Sequence, residues 1–186
     1  MKMIKFGVYL LLVSGLIFAC TQKYDNELVN IEKINLFLSD NRFEEPTTSN
    51  EESLSAKAFG LKLYLDLELT EDSDWEDEPD FSVKNTIDSI IITSSSNFDS
   101  EHQSGENLIN HFSVFENYMF YSVQDYLSGD RVAKVNERKD GSFFESIDLL
   151  LKELPTQEEN HEFTIRIVTM NNEVFEATSP SIQLTL

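Results

Sequence analysis

Cys20 is the residue whose surroundings predict the most definite chemistry. It is the only cysteine among 186 residues. Ile17-Phe18-Ala19 precede it, an aliphatic residue three places before the thiol and a small one directly before it. That is the layout of a lipobox, with Ile where Leu is commoner. The chemistry it predicts is diacylglycerol on the sulfur, cleavage before the cysteine, and a third acyl chain on the freed amine. Upstream, Lys2 and Lys5 supply positive charge, and residues 6–19 are almost wholly apolar. A secretory core needs roughly 7–15 apolar residues and a spanning helix about 20, so the run fits the former. The expectation is a signal peptide over 1–19, a tether over 20–27 and a folded domain over 28–186. One acyl chain binds a membrane marginally, whereas two or more hold stably.

Residues 71–80 carry seven acids in ten positions and no base. Asp72, Asp74 and Glu76 are candidate oxygen ligands for Ca²⁺, a hard cation. Counted from Asp72, however, the EF-hand glycine and glutamate positions hold Asp77 and Val83. A solvated charge run is the plainer reading. Trp75, within that run, is a candidate stacking surface for a sugar, as is Tyr64. His102, His111 and His161 lie at no metal-ligand spacing along the chain, so helix-end or surface roles are expected of them. No Gly-x-Ser-x-Gly elbow, Walker loop or Gly-x-Gly-x-x-Gly occurs. No catalytic set or cofactor is expected, and the chain reads as a non-enzyme.

The charge balance bounds the partners. Loss of Lys2 and Lys5 with the leader takes the basic count from 14 to 12 against 34 acids, so the formal charge moves from −20 to −22. An excess of that size repels phosphate backbones, and nucleic acid is set aside. A lone cysteine leaves no intrachain disulfide, so packing must hold the core. Fourteen phenylalanines make that feasible.

Strands supply the periodicity. Ile34, Leu36 and Leu38 alternate with Asn35 and Phe37, and Ile31 extends the apolar set. A loop over 40–55 follows. Leu61, Leu63, Leu65, Leu67 and Leu69 put five leucines on one strand face, with Gly60 expected at a bend or bulge. Residues 87–93 read as a central strand because β-branched residues fill both faces. A helical turn is expected over 108–112 and a short helix over 122–127. Residues 132–135 suggest an edge strand. Residues 146–154 satisfy helical spacing through Ile147, Leu150, Leu151 and Leu154, and strand spacing through Ile147, Leu149 and Leu151; the strand is favoured. Residues 163–168 and 174–178 form a hairpin across Asn171-Asn172. Pro180 then sends the last strand to a sheet edge or into another sheet. The fold class predicted is all-β: an immunoglobulin-like sandwich of about seven strands with one or two short helices.

Three blocks carry a family resemblance. They are Ala56-Lys57-Ala58-Phe59-Gly60-Leu61; Ile87-Asp88-Ser89-Ile90-Ile91-Ile92-Thr93-Ser94 with Asn97-Phe98-Asp99 and Gly105-Glu106-Asn107-Leu108-Ile109-Asn110-His111-Phe112; and Phe163-Thr164-Ile165-Arg166 with Glu173-Val174-Phe175-Glu176-Ala177-Thr178. Together they resemble a Bacteroidota lipoprotein family of unknown function, across most of 28–186. The resemblance implies a lipid anchor and a small β-sandwich, and no catalytic residue. Lys23 and Asp25, with Tyr24 between them, partly match the lysine-plus-acid stretch that directs such lipoproteins outward. The location expected is the bacterial cell envelope at the outer membrane. The function expected is binding or scaffolding of an envelope protein or glycan, the alternative being a carbohydrate-binding accessory lipoprotein of a glycan-utilisation or hydrolase system.

Overall fold

The computed structural model describes residues 27–69, 81–83, 86–128 and 135–186. In chain order the strands are β1 (Glu27–Asp40), β2 (Thr47–Ser49), β3 (Ser53–Ser55), β4 (Phe59–Leu69), β5 (Phe81–Val83), β6 (Ile87–Ser94), β7 (Phe112–Glu116), β8 (Met119–Ser122), β9 (Asn136–Glu137), β10 (Phe143–Leu151), β11 (Asn160–His161), β12 (Phe163–Thr169), β13 (Val174–Thr178) and β14 (Ile182–Thr185). One α-helix, α1 (Val123–Ser128), and two 3-10 turns, Ala56–Ala58 and Ile109–His111, complete the described elements.

The large sheet runs β2-β1-β4-β10-β7-β8, with β5 beside β1 and β9 beside β10. A second sheet runs β13-β12-β6, and a third β11-β14-β3. Seven strands have five residues or more: β1, β4, β6, β7, β10, β12 and β13. Lettered A to G in chain order, they pair as A-B-E-D in one layer and C-F-G in the other. That is the constant-type immunoglobulin arrangement. Among the short strands, β2 and β5 lie beside A, β8 beside D and β9 beside E, while β3, β11 and β14 form the third sheet.

Alternation builds the core. Leu61, Leu63, Leu65 and Leu67 of β4 are buried, while Lys62, Tyr64 and Asp66 between them are half-buried on the outer side. Ile147, Leu149 and Leu151 of β10 join the leucines, and Phe163, Ile165 and Ile167 of β12 close over them from the second sheet. Two bulges let the pattern break its period and still bury its apolar residues. The β1–β4 register shifts between Ile31 and Lys33, so Ile31 and Ile34 both face inward. The β12–β6 register shifts between Val168 and Thr169, which likewise buries both Ile87 and Ile90.

Several expectations need correction. Residues 40–55 are not simply loop, because β2 pairs with β1 and β3 pairs with β14. β6 is an edge strand, not a central one. Its outer edge is covered by loop backbone: Leu108 N–H donates to Ile92 O and Gly105 N–H to Ser94 O. The β12–β13 connection is longer than a two-residue turn. Thr169 N–H donates to Glu173 O across a three-residue link, in which Asn172 alone has positive φ, at 63°. β14 does leave the sheet of β13 after Pro180, but lies between β11 and β3 rather than at an edge. Residues 146–154 resolve as strand to Leu151, and the short helix starts at Val123. Residues 132–134 of the proposed edge strand lie outside the described residues.

Gly60 sits within β4, opposite Ser39 and Leu150, and not at a bulge. A Cβ there would stand 2.6 Å from Leu150 Cδ2 and 3.0 Å from Leu149 O. The backbone oxygen cannot swing aside. Gly60→Ala is therefore expected to destabilise the domain by about 1–3 kcal/mol, the usual cost of overpacking, read as a lowered urea midpoint. A neutral result would mean that β4 and β10 separate without penalty.

Candidate functional site

The outer face of the large sheet gathers aromatic residues from strands that are far apart in sequence. Cross-strand register sets Phe37, Lys62, Asp148, Phe115 and Phe120 in one row over β1, β4, β10, β7 and β8. The next row holds Asn35, Tyr64 and Ser146, and the one after it Lys33, Asp66 and Phe144. Diagonal ring contacts join the rows. Phe37 meets Tyr64 edge-on at 5.5 Å and Tyr64 meets Phe144 at 5.6 Å, while within the first row Phe115 meets Phe120 at 5.2 Å.

Two ion pairs lie on this face. The Arg138 guanidinium lies 4.6 Å above the Phe144 ring, with Nη2 2.6 Å from Asp66 Oδ1. Asn35 Nδ2 donates to Asp66 Oδ2 at 2.7 Å. Lys62 Nζ stands 3.2 Å from Asp148 Oδ1 and donates to Pro46 O at 3.1 Å. Burial pushes the Asp148 carboxyl above its usual range; Lys62 pulls it back only in part, and Glu45 adds to the rise. A hollow of about 250 Å³ opens beside this pair, walled by Pro46, Val114, Tyr118 and Tyr126.

The β7–β8 hairpin extends the patch. Asn117 and Tyr118 have φ of 50° and 61°. Two positive angles in a two-residue connection make a turn that matches strand twist, usually built from Asn-Gly. A tyrosine in the second place is uncommon and carries local backbone strain. Tyr118 donates to Glu45 Oε1 at 3.2 Å, and that bond raises the phenol pKa. Tyr118 and Phe120 are each 63% exposed, Met119 is 52% and Phe37 is 41%, a concentration of apolar surface beyond scattered single residues.

A larger groove of about 600 Å³ lies between α1 and β6. Two of its polar side chains are engaged within the fold. Asn107 Oδ1 accepts from the Ile92 and Ile109 N–H groups, and Asp125 pairs with Ser122 at the start of α1.

The histidines are placed otherwise than their sequence spacing suggests. His111 and His161 are buried, and the His102 and His111 rings lie 4.3 Å apart, centre to centre. Asp99 joins them: His102 Nδ1 is 3.0 Å from both of its carboxylate oxygens, and His111 Nε2 is 3.4 Å from Oδ2. Burial pushes the Asp99 carboxyl up, but the Glu101 and His102 N–H groups and the His102 ring outweigh it and hold the pKa at about 2. Such a cluster, drawn from the loop after β6 and the turn before β7, was missed because folding alone brings it together; the Asp-x-x-His spacing of Asp99 and His102 was its one local sign. His161 Nδ1 lies 2.8 Å from Ser94 Oγ. Both residues of that pair are buried, so no substrate reaches the hydroxyl.

Of the positions singled out in the sequence, Tyr64 lies at the centre of the aromatic face. Cys20, Asp72, Asp74, Trp75 and Glu76 lie outside the described residues. No protein-family model, no curated protein and no solved structure matches this chain.

Proposed function

We propose that this chain is a lipid-anchored, non-enzymatic binding module of the bacterial cell envelope, at the outer membrane, that docks a protein partner on the outer face of its large sheet. The observation that carries the reading is the aromatic set Phe37, Tyr64, Phe144, Phe115 and Phe120 on one face of five strands. Interface centres favour Tyr, Phe, Met and Arg, the types gathered here. The Phe37 and Tyr64 rings cross at 89°, which suits interdigitating side chains better than a flat sugar ring. Lys62 with Asp148 and Arg138 with Asp66 neutralise one another, so apolar contact dominates the centre. The net charge of −20 favours a partner with a basic rim. Cys20 supplies the anchor, and the sandwich supplies rigidity.

The test is capture from envelope extract by tagged protein, with a Phe37→Ser/Phe120→Ser variant run in parallel. Both side chains are exposed, so the variant should fold with an unchanged melting temperature. A partner retained by the wild type is expected to fall by about tenfold or more in the variant, as for interface anchors. Equal capture by both proteins removes the face from the function. A second reading, glycan binding, is favoured by the polar cluster of Asn35, Asp66 and Arg138 beside Tyr64 and Phe144. Retention on a glycan array that disappears in Tyr64→Ala would select it instead.

A further inference from the structure

One end of the sandwich holds a set of nitrogen and oxygen donors that the aromatic face does not use. Asp99 and His102 lie on the loop after β6, His111 ends the turn before β7, and Glu153 follows β10. Asp99, His102 and His111 each offer a ligand atom within 4.8 Å of the others. His111 Nε2 is 3.4 Å from Asp99 Oδ2 and 3.4 Å from Glu153 Oε2. Those separations are long for an N–H···O bond, which runs at about 2.7–3.2 Å. They are close to the spacing in a metal centre, where four donors at about 2.0–2.1 Å in a tetrahedron stand roughly 3.3–3.4 Å apart; His102 Nδ1, now hydrogen-bonded to Asp99 at 3.0 Å, would give up that bond to an ion.

The donors are held in place. Asp99 Oδ1 accepts from the Glu101 and His102 N–H groups, each at 2.7 Å, which fixes the carboxylate. Thr156 N–H donates to Phe98 O and Lys152 N–H to His111 O, tying both histidine-bearing segments to the stretch that carries Glu153. The His111 side chain is only 5% exposed, and its ring meets Phe98 at 4.9 Å. Its Nδ1 has no hydrogen-bond partner among the described residues, so packing alone aims Nε2 at the carboxylates. Glu153 is 60% exposed and can close over an incoming ion from the solvent side.

We propose that Asp99, His102, His111 and Glu153 bind one divalent transition-metal ion, with zinc as the best fit. Two imidazoles and two carboxylates select zinc-class ions over Ca²⁺ or Mg²⁺, which take oxygen ligands at longer or octahedral spacing. The ion would clamp the loop over 97–105 to the end of β10.

The test is titration of chelator-treated full chain, in detergent, with ZnCl₂ alone, followed by calorimetry and by a shift in melting temperature. One ion per chain is expected, with Ca²⁺ and Mg²⁺ giving no comparable site. Co²⁺ in place of zinc should give the visible absorption of a tetrahedral centre. His102→Ala, at a half-exposed position, should keep the fold by circular dichroism and weaken zinc by about 100-fold or more. Glu153→Gln gives a second variant that does not disturb the core. No zinc uptake, or equal uptake by wild type and both variants, overturns the proposal. So does uptake that is lost only when Asp72, Asp74 and Glu76 are neutralised.

Discussion

Phe163→Ala is expected to cost about 3–5 kcal/mol of folding stability, toward the upper end of that range. The ring is fully buried where the two layers meet. It lies 5.1 Å from the Phe59 ring and 6.0 Å from the Phe112 ring, both on the large sheet, and it stacks on His161 at 5.5 Å. A cavity is less costly where its walls can close in. Here they cannot readily do so. The Phe163 N–H donates to Ser179 Oγ and its carbonyl accepts from the Ser179 N–H, which locks its backbone to the β13–β14 connection. On the far side, β4 is paired along its length with β1 and β10. With one cysteine in the chain, no disulfide offsets the loss. Stabilities of ordinary domains run at about 5–15 kcal/mol, so this single change removes a large part of the total. Urea unfolding followed by circular dichroism measures it. A loss below about 1 kcal/mol would mean that the ring is not the joint between the layers.

Strand identity was legible wherever period two survived intact. β4 is the plainest case, because five leucines two apart leave no other face to bury. Period two fails at Glu32 and Asp88. There the bulges of β1 and β6 put two residues between successive buried isoleucines, and local reading cannot separate that spacing of three from a helical hint. β6 looked central because Ile91 as well as Ile90 and Ile92 is apolar. What covers its edge is loop backbone from 104–108, a contact that no periodicity reports. The strands within 40–55 are three residues each and draw their stability from partners elsewhere in the chain, so composition hides them.

The candidate sites were less legible for the same reason. Tyr64 could be seen to face away from the leucines, but its neighbours Phe37 and Phe144 reach it only through the registers of β1 and β10 on β4. A register is a long-range property, and that of β1 on β4 also carries a bulge between Ile31 and Lys33. Asp99, His102 and His111 meet because a loop folds back over a sheet end. A spacing of 9 along the chain says nothing of their meeting, yet the two histidine rings lie 4.3 Å apart, centre to centre. Both proposed sites are thus products of tertiary folding, and each can be tested without disturbing the other.

His161 makes the domain sensitive to mild acid, and the direction follows from its surroundings. The side chain is fully buried, with Nδ1 2.8 Å from Ser94 Oγ and no partner for Nε2 among the described residues. Burial lowers its pKa below 6.5, and the negative charge of Glu159 restores only part of that. In the unfolded chain the ring titrates at about 6.5. Below that pH the unfolded state binds a proton that the folded state refuses, so protons favour unfolding. Stability is then complete above about pH 6.5 and falls on acidification until the folded-state pKa is passed, by at most about 1.4 kcal/mol per pH unit for one proton. Asp99 acts in a separate and lower window. Its pKa of about 2 contributes stability above its ordinary value of 3.8, and that contribution is lost as pH falls toward 2. Urea midpoints measured from pH 7.5 to 5 on wild type and His161→Gln separate the two groups. The wild type should lose stability across that range, and the variant should show a slope shallower by about one proton. Parallel curves would place the acid sensitivity elsewhere and leave the buried imidazole without thermodynamic consequence.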